Sequence, residues 1–69
     1  MPDPLAVVEA LLFASDEPLS AERIQDVLEL SDAAEARALV EALRAQYAQG
    51  ERALTIVEVA GGYRMVTRP

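Results

Sequence analysis

Apolar residues recur along this chain in two rhythms, and the change from one to the other falls at Gly50. Before it they return every three or four positions, the mark of helices; after it comes a short β-branched run, the mark of a strand. Asp3-Pro4 opens the first predicted helix, since Asp is a good N-cap and Pro in the first turn has no amide hydrogen to leave unbonded. The helix runs from Leu5 to Ser15 and stops at Ser15-Asp16-Glu17-Pro18. At about 100° per residue, Leu5, Val7, Val8, Leu11 and Leu12 share one broad arc. Ala6, Ala10 and Phe13 lie on a different face, and Glu9 is the segment's single charge. A helix apolar on nearly every side has to be covered on nearly every side.

Ser20 is the predicted cap of a second helix, Ala21 to about Glu29, with Glu22 in the first turn, where the helix dipole favours a negative charge. Ile24, Val27 and Leu28 form its core stripe. Ser31-Asp32 breaks the pattern, and Asp32 with Glu35 has the spacing of a capping box. The third helix runs from Ala33 to about Gln49, with Gly50 as its stop. Ala36, Leu39, Val40, Leu43 and Tyr47 make its buried stripe, and Arg37, Glu41 and Arg44 the opposite, wet side.

Leu54-Thr55-Ile56-Val57-Glu58-Val59 reads as a strand. Gly61-Gly62 fits a two-residue turn at positive φ, and Tyr63-Arg64-Met65-Val66-Thr67 returns as the second strand. That turn sets Val57 opposite Val66, Glu58 opposite Met65 and Ala60 opposite Tyr63. Pro18-Leu19-Ser20 is placed to add a third, very short strand against the hairpin. Three helices followed by a two-stranded wing is the winged helix-turn-helix arrangement, here a single domain over residues 1–69.

Composition narrows what such a domain can do. A chain of 69 residues buries only about 60% of the surface its unfolded form exposes, so its core is thin. Small scaffolds gain stability from a disulfide, a metal or a partner. The sequence has no Cys and no His, which removes disulfides and nearly every zinc design and leaves self-association. Lacking Lys as well, it offers no side chain poised near neutral pH as base or nucleophile, so no enzyme and no cofactor is expected. Twelve acids against six Arg give a net charge of −6. That balance disfavours nucleic acid, whose binders live on phosphate contacts. No stretch approaches the ~20 apolar residues of a membrane span, and no secretory signal opens the chain, so a cytoplasmic protein is expected.

Two segments carry a family resemblance. Val8-Glu9-Ala10-Leu11-Leu12-Phe13-Ala14-Ser15-Asp16-Glu17-Pro18-Leu19-Ser20 is similar to the opening of segregation and condensation protein B, ScpB, and the stretch from Leu54 through Gly61-Gly62-Tyr63-Arg64-Met65 to Pro69 resembles that family's first wing. The resemblance implies the first of two tandem winged-helix domains, the second being absent from this chain. It also implies a homodimer that binds the kleisin ScpA and, through it, the SMC ATPase of chromosome condensation and segregation, placing the chain at the nucleoid. ATP hydrolysis would belong to SMC. The rival of another class is a DNA-binding winged-helix regulator.

Three sets of residues are candidates for contact. Ala6 and Ala10 permit close helix approach, and Phe13 beside them supplies about 150–250 Å² of burial. These three form either a dimer face or, if Phe13 turns under the wing, part of the domain's own core. Tyr63 and Arg64, at the predicted wing tip, either cover the hairpin end and charge a strand edge, meet a protein partner, or reach a phosphate, in that order. Arg37 and Arg44 stand on the helix in the recognition position. With Glu35 and Glu41 interspersed and no Lys, Asn or Gln on the central turns, that face suits a protein partner better than a groove.

Overall fold

The computed structural model describes residues 3–50 and 53–67. Helix α1 spans Pro4–Ala14, α2 Ala21–Leu28 and α3 Ala33–Gln49; strands β1 (Leu54–Val59) and β2 (Gly62–Thr67) form an antiparallel hairpin. Each helix begins where its capping residue predicts. Asp3 accepts from the Leu5 amide at 2.9 Å, Ser20 from the Arg23 amide at 3.0 Å and Asp32 from the Glu35 amide at 3.0 Å. Glu35 closes its half of the box one residue early, accepting from the Ser31 amide at 3.2 Å. Gly50 does end α3, but in extended rather than left-handed backbone, at φ −98° and ψ 160°. The left-handed position falls instead on Glu29, φ 55°, which closes α2 while the Leu30 amide returns to the Gln25 carbonyl.

One core joins all five elements. Val8 and Leu12 of α1, Ala21 and Ile24 of α2, and Ala36, Val40, Leu43 and Tyr47 of α3 pack with Ile56 and Tyr63 of the hairpin and with Leu19. Val27 is not among them: it is 43% exposed. At about 100° per residue Ala21, Ile24 and Leu28 fall within a narrow arc, and Val27 lies some 60° outside it, on the side away from Ala21.

The hairpin register differs from the expected one by two residues. Val57 pairs with Arg64, Glu58 with Tyr63 and Val59 with Gly62, so the loop is Ala60-Gly61 and Gly62 already belongs to the ladder. The cause lies outside the hairpin. Leu19 forms a bridge with Tyr63, each amide donating to the other's carbonyl at 2.8 Å. This is the very short third strand, and it fixes Tyr63 inside β2 and draws Gly62 against the Leu19 backbone. A two-residue shift preserves which side chains share a face. Ile56, Tyr63 and Met65 therefore still point to the core side.

Candidate interaction surfaces

On α1 the core takes Val8 and Leu12 and leaves the other side open. Ala6, Ala10 and Ala14 are exposed along one line, and Phe13 beside them is 73% exposed. Phe13 does not turn under the wing. The helix's lone acid, Glu9, lies at the edge of this face and accepts a hydrogen bond from the Tyr47 hydroxyl of α3. That bond ties α1 to α3 beside the face that carries the alanine line and Phe13.

Helix α3 shows solvent two distinct sides. Around the axis, Arg37, Glu41 and Arg44 lie together, roughly opposite Glu35, Ala38, Leu39 and Ala42. On the first side Arg44 meets Glu41 at 3.4 Å; no other ion pair is present among the described residues. The Arg44 Nε and Nη2 atoms are covered and have no hydrogen-bond partner among the described residues. Tyr63 projects toward this side from the wing but is only 5% exposed. Burial raises its phenol above the usual pKa of 10.0, Glu58 adds to the shift and Arg37 opposes it. Tyr63 is thus a core residue whose backbone binds Leu19. As a partner contact it needs correction, because a buried ring has no free surface to offer. Its neighbour Arg64 is exposed and reaches back over the wing to donate to the Asp16 carbonyl at 3.4 Å.

The second side of α3 forms the wall of a groove of about 340 Å³, with Pro4 and Leu30 opposite Glu35, Ala38 and Leu39. The sequence pattern assigns Leu39 to the core stripe and leaves Leu30 between two helices with no role, so it gives no sign that the two line one groove. Leu39's place at the margin of the α3 stripe is the only trace. Among the described residues no three Asp or Glu converge as a metal set, and no helix is long and apolar enough to cross a membrane.

Comparison with known proteins agrees on one family. The model for segregation and condensation complex subunit ScpB matches residues 6–69. Segregation and condensation protein B of Symbiobacterium thermophilum is 46% identical over 63 residues, covering 91% of this chain and 28% of the relative. The Coxiella burnetii homolog is 40% identical over 70 residues, covering 97% and 32%. The chain thus spans about a third of these relatives' length. Among solved structures, a dimer of ScpB N-terminal domain complexed with ScpA peptide matches at TM-score 0.84 and 42% identity, over 93% of this chain and 79% of that one. ScpB from Mycobacterium tuberculosis shares the fold at TM-score 0.86 and 22% identity, over 99% and 44%.

Proposed function

The chain belongs to the segregation and condensation complex subunit ScpB family, and from that premise we propose that it is a non-catalytic module that pairs with a second copy and binds ScpA. Through ScpA it takes part in the SMC complex of chromosome condensation and segregation, in the cytoplasm at the nucleoid. The likeness to an ScpB N-terminal domain that is a dimer with a bound ScpA peptide carries this reading.

The chemistry of the surface supports it. An exposed Phe beside a line of alanines is poorly suited to water and well suited to a second helix, since small residues allow close approach and the ring supplies area. We assign Ala6, Ala10 and Phe13 to the dimer face. Arg37 and Arg64 are exposed near the wing and α3, with Arg44 half-buried beside them, and we assign these three to a protein rim, where charges act through on-rate and specificity more than through affinity. A net charge of −6 leaves little long-range attraction for a nucleic acid.

Titration with an ScpA peptide by calorimetry tests the proposal. The expected result is saturable binding to the chain, with no shift of duplex DNA at about 50 mM salt, where phosphate binders are strongest. An inert ScpA peptide together with salt-sensitive DNA binding would overturn it in favour of a regulator.

A further inference from the structure

We propose that Tyr47 is a positioning residue for pairing: its hydroxyl holds the Glu9 carboxylate toward α3, off the face of α1 that meets a second copy. The inference rests on the assignment of Ala6, Ala10 and Phe13 to that face and adds what keeps the face free of charge. Glu9 is the one charged residue between Pro4 and Ala14. It stands one turn before Phe13, about 40° from it around the axis and about 60° from Ala6. Ala6, Ala10, Phe13 and Ala14 are exposed, and Glu9 is half-buried at their border. Side chains four apart on a helix are neighbours, so a loose Glu9 has the reach to lay its carboxylate against the Phe13 ring.

A carboxylate lying there would lose its water when a second helix covered the face, and α1 carries no base to pair with it. In a two-fold pair that cost arises twice, once from each copy. The Tyr47 hydroxyl prevents it by donating to the Glu9 Oε2 atom. The Tyr47 ring packs in the core with Val8 and Leu12, so the bond draws the carboxylate around α1 to the side away from Phe13. The arrangement serves Tyr47 as well, since a buried phenol needs an acceptor.

The test compares dimer dissociation constants, from sedimentation equilibrium of the whole chain, for the unaltered protein, Tyr47→Phe, Glu9→Ala and the two substitutions together. Both single changes remove the same hydrogen bond, and circular dichroism verifies the fold of each variant. Only Tyr47→Phe leaves a loose carboxylate beside Phe13. It is expected to weaken pairing about tenfold, the scale of a desolvated charge without a partner. Glu9→Ala and the double variant are expected to stay within about twofold of the unaltered chain, because neither has a carboxylate left to hold. Unchanged pairing in Tyr47→Phe overturns the proposal. Equal weakening in Glu9→Ala, or a double variant as weak as Tyr47→Phe, also overturns it, since the bond then acts by packing α1 on α3. In each of those cases the unaltered chain still pairs and the proposed function stands. Phe13→Ala, measured alongside, tests the face itself. If that variant pairs like the unaltered chain, or the unaltered chain does not pair, the face is lost and this inference with it.

Discussion

A Cβ on Gly62 would sit 2.3 Å from the Leu19 carbonyl oxygen, at a backbone φ of 145°. A Cβ on Gly61, φ 93°, meets nothing within 4 Å among the described residues. The two glycines therefore answer to different constraints, close approach for one and conformation for the other. Gly61→Ala is expected to lower unfolding free energy by about 1 kcal/mol, the cost of a left-handed alanine. Gly62→Ala adds a backbone clash, for a total of at least about 2 kcal/mol. Urea midpoints of the two variants check the order. Glu29 is the reverse case, a side chain held at φ 55°. Glu29→Gly should stabilise the domain by about 0.5 kcal/mol, relief of strain offsetting the entropy of a new glycine. The Gly-Gly pair is legible in the sequence as a turn, but which residue enters the ladder is not, because Leu19 decides it from more than forty positions away. Nothing in the local sequence marks Glu29 as left-handed.

At the scale of the element, legibility follows chemistry that acts locally. The caps Asp3, Ser20 and Asp32 each bind within three residues, and all three helices start where those residues place them. Val27 and Tyr63 were harder to read because their burial depends on neighbours distant in sequence. A stripe three residues wide does not reveal which edge a neighbouring helix will cover. The Tyr47–Glu9 bond is another such contact, spanning 38 positions. Tyr47→Phe removes its donor and leaves a half-buried carboxylate short of a partner, at a cost of about 1–2 kcal/mol. If Glu9 fixes the presentation of α1, the same variant also weakens self-association, which dilution series by light scattering would reveal. Phe13→Ala should behave in the opposite way: little change in the protomer's own stability, within about 0.5 kcal/mol, since an exposed ring supports no core.

For the whole molecule, burial of one phenol sets the response to alkaline pH. Tyr63 titrates above the ordinary phenol because burial favours its neutral form. An acid with a raised folded pKa contributes stability that is intact below the unfolded value of 10.0 and is lost as pH climbs past it. Urea midpoints from about pH 8 to about pH 11 should therefore fall at the alkaline end, and Tyr63→Phe should flatten that fall. The thin core of a short, cysteine-free chain is legible from length and composition, and the excess of apolar circumference on α1 from the helical spacing of its residues. What composition does not give is direction. Only the packed structure tells that the surplus, Ala6, Ala10 and Phe13, faces outward together on one side, and that the groove lies on another.

The central claim is that this outward face is where a second copy binds. Molar mass by multi-angle light scattering at low micromolar concentration measures it directly. The account gives twice the 7.5 kDa protomer, about 15 kDa, for the unaltered chain and about 7.5 kDa for Phe13→Ala. A monomeric unaltered chain, or a Phe13→Ala variant that stays at the dimer mass, would contradict it.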